Sequence, residues 1–276
     1  MYFIVDKQAA AFNAARARMS GNEEAKRLIR DFKGYLEFQS RMGNGRVMPE
    51  QSAAPARSAK PAPATERKTD MEKKSEGKPS PIIIESDLFA GGAEGLPEIR
   101  DDLGDCSRCK LHSTRKNIVF GEGNPSADIV FVGEGPGRDE DEQGRPFVGK
   151  AGKLLGKIIE AMGMTREDVY ICNVVKCRPP ENRNPEPDEV AECEPFLIRQ
   201  INSVSPRVVV CLGLVAAKAL LKIEGSRSLG SLRGVFHTYG NCKLMVTYHP
   251  AALLRNPAFK RPLWEDMQAV MAEIKK

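Results

Sequence analysis

From about Leu103 onward the chain alternates short apolar runs with longer stretches in which apolar side chains recur every three or four residues. Ile129–Gly133 (IVFVG) is an apolar run bounded by polar positions, the pattern of a strand buried on both faces. Val169–Val175 and Val208–Leu212 repeat it with many β-branched residues, and Leu244–Tyr248 supplies a fourth. Between the first two, Leu154, Leu155, Ile158, Ile159 and Met162 mark one face of a helix over 151–162. A further helix opens after Pro185-Glu186-Pro187, where a proline in the first turn and neighbouring acids suit a helix N-terminus. Leu214–Leu221 follows the third strand, and Leu263, Met267, Val270, Met271 and Ile274 line one side of a last helix over 262–276. Strands alternating with helices predict a three-layer α/β/α domain around a central, mainly parallel four-stranded sheet. In such sheets the active site lies beyond the carboxyl ends of the strands.

The first third of the chain reads differently. Residues 6–42 carry helical periodicity broken at Ser20-Gly21, and Gly43–Ser80 shifts to Pro, Ala, Ser, Lys and Glu. A stretch so poor in apolar side chains cannot offset its ordering entropy, which predicts a flexible linker. The expected division is therefore a helical extension over 1–42, a linker over 43–85 and a catalytic domain over 86–276. Charge follows the same division. Residues 1–85 hold 16 basic and 11 acidic side chains, so the whole net charge of +5 sits there and the remainder balances. Any anion binding by the C-terminal domain must then come from local patches and backbone amides. No run approaches the roughly 18 apolar residues of a membrane span, and the opening MYFIVDKQAAAF lacks the pattern of a secretory signal. A cytoplasmic address and no membrane partner are expected.

Seven cysteines in a chain with no export signal argue against a disulfide framework. Cys106-Ser-Arg-Cys109 is a C-x2-C pair in a polar, turn-like context, and Cys177 and Cys193 form a second pair with fifteen residues between them. Four thiolates complete either a tetrahedral zinc site or an iron–sulfur cluster, and the spacing alone does not choose between them. Cys172, Cys211 and Cys242 fall in or beside strands and read as core thiols.

The loop after the first strand runs Gly133-Glu134-Gly135-Pro136-Gly137, then Arg138-Asp139-Glu140-Asp141 and Gly144-Arg145-Pro146-Phe147-Val148-Gly149. Its glycines allow tight turns and close approach of a ligand. Phe147 is costly to expose in so polar a loop and needs a partner. Gly144–Ala151 spells a phosphate-binding loop without its final Ser or Thr, the hydroxyl that holds magnesium, and begins well past the strand end. A nucleotide hydrolase is a poor reading.

Taken in order, GEGPG-x-D-E-D, GRPFVG-x-AG, N-V-V-K-C-R-P-P, C-x15-C and Y-H-P-A resemble the family 4 uracil-DNA glycosylases, the iron–sulfur members of that superfamily, from about Cys106 to Lys276. The resemblance implies a [4Fe–4S] cluster on Cys106, Cys109, Cys177 and Cys193. It implies Phe147 as the ring on which uracil stacks and Asn173 as the amide that reads its edge, and it makes Glu140 the acid that excludes thymine's methyl group. His249 resembles the histidine that stabilises charge on the departing base. Gly135 stands where the most efficient relatives carry an aspartate, leaving Glu134 as its neighbour in the catalytic loop. Leu254 and Arg255 resemble a wedge and its phosphate contact, with Arg233 a further DNA contact.

The expected activity is hydrolysis of the N-glycosidic bond of uracil in single- or double-stranded DNA by a monomeric, monofunctional enzyme. Such an enzyme must flip the base out of the stack. The rival readings are a non-catalytic iron–sulfur module that binds nucleic acid, an electron-transfer protein, and a glycosylase for other deaminated bases such as hypoxanthine. The extension over 1–42 is expected to have a partner that the sequence does not name.

Overall fold

The computed structural model describes residues 79–84 and 94–276. The helical reading of 1–42 and nearly all of the linker reading of 43–85 lie outside them. The four strands expected from the sequence form the centre of the sheet: β3 (Ile129–Gly133), β4 (Tyr170–Asn173), β5 (Val208–Leu212) and β7 (Cys242–Thr247). They run parallel in the order β7-β5-β3-β4. The sheet is larger than four strands, however. Among the described residues it has seven, because β6 (Phe236–Tyr239) pairs antiparallel with β7, β1 (Ile83–Ile84) pairs parallel with β6, and β2 (Glu122–Gly123) pairs antiparallel with β4. Two of these additions are only two residues long, too short to leave an alternation in the sequence. β1 also falls inside the stretch expected to be linker, so the sheet domain starts earlier than residue 86. His237 accounts for this, because its Nδ1 accepts the Ile82 N–H (3.0 Å) and its Nε2 donates to the Leu232 carbonyl (2.8 Å).

Seven helices of α type are described: α1 (Leu96–Leu103), α2 (Arg138–Gln143), α3 (Lys150–Ala161), α4 (Pro187–Val204), α5 (Leu214–Leu220), α6 (Pro250–Arg255) and α7 (Lys260–Glu273). α4 starts as expected, with Pro187 in its first turn and Glu189 reaching back to the Glu186 N–H (2.8 Å). Strand alternation divides the core. Val130 and Val132, Tyr170 and Cys172, Val209 and Cys211, and Leu244 and Val246 face α4 and α5, meeting Leu197, Ile201, Ala217 and Leu220. The intervening strand residues, Phe131, Ile171, Val210 and Met245 among them, are equally buried on the opposite face. That face takes the buried apolar sides of α3 (Leu155, Ile158, Ile159) and α7 (Leu263, Met267, Val270). Both sheet faces are covered, and only the strand ends stay open to carry chemistry.

β4 is shorter than the expected 169–175. Val174 and Val175 leave the ladder and donate instead to the carbonyls of Gly133 (3.0 Å) and Glu134 (3.2 Å). This ties the loop after β3 to the loop after β4 at the open end of the sheet.

Candidate active site

A cavity of about 460 Å³ opens at the carboxyl ends of β3, β4 and β7. Its walls are Glu134–Gly137 after β3, Asn173 at the last position of β4, His249 after β7, and the Pro179–Asn184 turn. Phe147, Glu140, Ala151 and Arg255 complete it. The sequence therefore named most of the walls, and the fold brings them together.

Asn173 pairs in register with Gly133. Its Oδ1 is buried and has no hydrogen-bond partner in the protein, an expensive state for a buried acceptor unless a ligand completes it. Gly133 makes room for this arrangement. A Cβ there would overlap Asn173 Oδ1 and stand 2.5 Å from Phe147 Cζ. The Phe147 ring also lies 5.6 Å from the His249 ring, centroid to centroid.

Phe147 sits at φ 53°, a left-handed conformation that costs a bulky residue energy. Three contacts hold it there. Arg166 donates to the carbonyls of Pro146 (2.8 Å) and Phe147 (3.1 Å) while pairing with Glu122 (2.6 Å). α3 presses in at Gly152, where any Cβ would overlap the Phe147 peptide. Glu140 closes the loop from the other side, accepting the N–H groups of Val148 (2.9 Å), Gly149 (2.9 Å) and Gly137 (3.1 Å). Glu140 lines the cavity, but both its oxygens are committed to backbone amides. It staples the loop that presents Phe147 while its carboxylate stays on the cavity wall.

His249 caps α6. Its Nδ1 accepts the Ala251 N–H (3.1 Å), so that nitrogen carries no proton and the neutral ring holds its proton on Nε2. Burial, with Arg255 nearby, lowers its pKa to about 4. The ring is neutral at physiological pH and can only donate from Nε2. The preceding residue is clamped: the Tyr248 ring stacks on Phe259 (centroids 4.3 Å, planes 7° apart), with the Arg233 guanidinium 5.4 Å from its centroid.

Arg233 itself is not at the site. Its Nε and Nη2 pair with buried Asp266 (3.2 and 2.8 Å) and Nη2 also donates to the Pro262 carbonyl (2.6 Å), which anchors the guanidinium away from the cavity walls. Arg255 lines the cavity, and Leu254 precedes it on the same helix. Leu254 on α6 is 51% exposed, unusual for a large apolar side chain in this domain. Glu134 is half-buried on the cavity wall, and desolvation raises the pKa of its carboxyl. A side chain at Gly135 would press on Val175 Cγ2, 2.7 Å from the Cβ position, so an aspartate there would need the β4 loop to shift.

Sequence reasoning missed the Pro179–Asn184 wall. Glu181 and Asn182 both adopt positive φ (55°), and Arg183 reaches back to Glu189 (2.8 and 2.6 Å), which is fully buried. The density of Pro and Asn in R-P-P-E-N-R-N-P was the available sign of a rigid turn.

The four paired cysteines gather on the α4 side. Their thiols are near enough to act on one another electrostatically: Cys106 and Cys109 on Cys193, and Cys193 and Cys109 on Cys177. Donors point at three of the sulfurs. Arg108 donates to Cys106 Sγ (3.4 Å), Arg115 to Cys177 Sγ (3.5 Å) and the Lys176 N–H to Cys193 Sγ (3.2 Å). Burial raises the Cys177 thiol to about 11. Among the described residues no three His, Cys, Asp or Glu side chains are arranged to hold a single metal ion. Cys172, Cys211 and Cys242 lie buried in the sheet core, as expected.

The sequence model of the uracil DNA glycosylase superfamily matches residues 120–268. The chain belongs to that superfamily. Within it the similarity is to the type-4 enzymes. The type-4 uracil-DNA glycosylase of Saccharolobus solfataricus is 48% identical over 184 residues, covering 64% of this chain and 85% of that protein. That of Thermotoga maritima is 48% identical over 175 residues, 62% of this chain and 90% of its own length. That of Archaeoglobus fulgidus is 44% identical over 183 residues, 64% and 92% respectively. No described helix is long and apolar enough to cross a membrane.

Proposed function

We propose that this chain hydrolyses the N-glycosidic bond of uracil in DNA, leaving an abasic site and free uracil. The observation that carries the reading is the buried, unpartnered Oδ1 of Asn173 in a cavity that also holds Phe147 and a neutral His249. Uracil offers an N3–H donor to that oxygen and a C4 carbonyl to the same amide's N–H. Cytosine presents the opposite pair and leaves a buried amide mismatched. Phe147 supplies the stacking surface, a contact worth about 1–3 kcal/mol per base.

As the N1–C1′ bond breaks, its electron pair moves onto the uracil ring. His249 Nε2–H donates to the uracil oxygen on which that charge collects, and stabilising developing charge is usually the largest catalytic contribution. A water adds to C1′ and loses its proton. Glu134, on the cavity wall beside Gly135, supplies the carboxylate that would orient that water and take its proton, and the departing uracil anion takes up a proton from solvent. The raised pKa of Glu134 makes it a better base once ionised. Leu254 fits the space in the DNA stack that the uracil leaves, with Arg255 beside it for a phosphate.

Cys106, Cys109, Cys177 and Cys193 would hold a [4Fe–4S] cluster. The donor set fits, because thiolates surrounded by guanidinium and backbone N–H groups are stabilised as ligands. Such a cluster supplies iron–thiolate bonds that would tie together the segment after α1, the loop after β4 and α4. The deciding experiment incubates the full chain with a labelled uracil-containing oligonucleotide and then treats it with alkali. Cleavage at uracil only after alkali is expected. Uncut strand, or cleavage without alkali, would overturn the reading.

A further inference from the structure

Lys176 carries a fully buried ammonium group that neither lines the pocket nor bonds to the proposed cysteine ligands. Its side chain turns back along its own loop. Nζ donates to the backbone carbonyl of Asn173 (2.8 Å) and to Gln200 Oε1 (2.5 Å). Gln200, also fully buried, spends its amide N–H groups on Tyr170 Oη (3.1 Å) and the Phe120 carbonyl (3.0 Å). The Lys176 backbone is equally committed, with its N–H on Cys193 Sγ (3.2 Å) and its carbonyl taking the Val119 N–H (2.8 Å).

The geometry of Asn173 explains why such a clamp is needed. Its Oδ1 is unpartnered in the protein, so nothing holds the side chain by the atom that faces the cavity. The pose of that amide must then be set from the backbone. On one side the β3 register fixes the residue against Gly133. Beyond Asn173 the strand ends, and the carbonyl that would continue a ladder is taken by Lys176 Nζ instead. We propose that Lys176 is a positioning residue that locks the Asn173 amide in its base-reading pose and couples that pose to the cysteine-bearing segment at Cys193. The inference rests on the reading of Asn173 as the uracil-recognition residue. Lys176 touches no substrate and acts through Asn173.

The test is a double-mutant cycle in single-turnover excision from uracil-containing DNA. Lys176→Met keeps the length and volume of the side chain and removes the donor. In the otherwise unchanged protein it should lower the excision rate by up to roughly 10²-fold, the scale of a loss from slight misplacement at a reacting centre, with little change in DNA binding and no change in visible absorbance per protein. In an Asn173→Ala background the same substitution should cost almost nothing, since coupled residues are not additive. Equal fold-losses in the two backgrounds would show a general structural role and overturn the proposal. So would loss of the visible absorbance together with activity, which would place the defect at the cysteines. If Lys176→Met does not fold, Gln200→Met, which keeps the lysine but removes its second acceptor, should show a smaller loss with the same non-additivity, and an additive loss overturns the proposal. Should the unaltered protein fail to excise uracil, the functional reading falls on its own. A crystal structure of Lys176→Met then decides this one: a displaced Asn173 side chain supports it, and an unmoved one overturns it.

Discussion

At the base pocket the polar atoms that matter are left without protein partners, whereas on the cysteine side nearly every one is engaged. Asn173 Oδ1 is orphaned and His249 donates only from Nε2. Around the C-x2-C pair, Arg199 bridges Glu94 and Asp102, Arg108 pairs with the same aspartate, and both guanidinium groups lie over the Phe196 ring, at 5.3 and 4.9 Å. Arg115 holds the Cys106 carbonyl (2.6 Å) and Asp105. One region is organised to receive a ligand that comes and goes, so its unmet hydrogen bonds are complementary to that ligand. The other is braced from all sides and fits a permanent group. The difference teaches that the same fold edge can store incomplete polar contacts in one place only because neighbouring loops are fully tied down.

That contrast predicts unequal consequences. The largest should come from Asn173→Asp, which sets a carboxylate against a uracil carbonyl in a site built to match hydrogen bonds. Uracil excision should fall by about 10⁴-fold or more, measured by single-turnover cleavage after alkali, and retention of a tenth of the activity would break the complementarity argument. His249→Ala leaves the reading edge intact and removes one donor to the leaving base. Its excision rate should fall by roughly 10²–10³-fold, while affinity for DNA carrying a non-cleavable uracil analogue stays near that of the unaltered protein.

Cys106→Ala should act in the opposite sense. It is expected to abolish the broad absorbance of the cluster near about 400 nm and to lower thermal stability, yet leave the uracil-to-cytosine preference of the remaining folded protein unchanged. A colourless parent protein with stoichiometric zinc would contradict the cluster.

The pH profile sharpens the comparison further. The pKa of His249 is depressed from an ordinary 6.5 to about 4, so folding favours its neutral form. The stability this contributes is present above about 6.5 and is lost as pH falls towards 4. Leaving-group donation by the neutral ring therefore predicts no break in excision rate at 6.5. Glu134, whose carboxyl is pushed upward by burial, is expected to give an acid limb that vanishes in Glu134→Gln. A limb near 6 that survives that substitution belongs to buried Asp266, raised to about 6, and one near 4 to His249. The smallest effect is expected from removing the N-terminal region. A chain beginning at Pro79, which keeps the Ile82 contact to His237, should excise uracil at a comparable rate in low salt. A steeper fall with salt would show that the basic extension contacts phosphates.

Much of this was written in local pattern. Short apolar runs such as Ile129–Gly133 are buried strands because no other element hides so many consecutive β-branched and aromatic side chains, and that reading gave the parallel centre of the sheet. The same logic placed His249 just past a strand end, where side chains can leave the core, but left Asn173 inside a strand that the structure ends at that residue. What periodicity could not carry were contacts between residues far apart in the chain. The two-residue strands β1 and β2 exist only because a sheet edge is there to receive them. The ion pair of Arg233 with Asp266 joins positions thirty-three residues apart, which no local pattern announces. Phe147 was legible as a ring in need of a partner, but its left-handed backbone is sustained by Arg166, nineteen residues away, and by the bare Cα of Gly152. Nothing in N-V-V-K-C marks Lys176 as buried, and only the tertiary structure encloses it. Sequence by itself determined the elements and the residue types at their ends, because those depend on neighbours along the chain. The tertiary structure alone decided which polar groups are spent on the protein and which are kept for the substrate, because burial and pairing are properties of what packs around an atom.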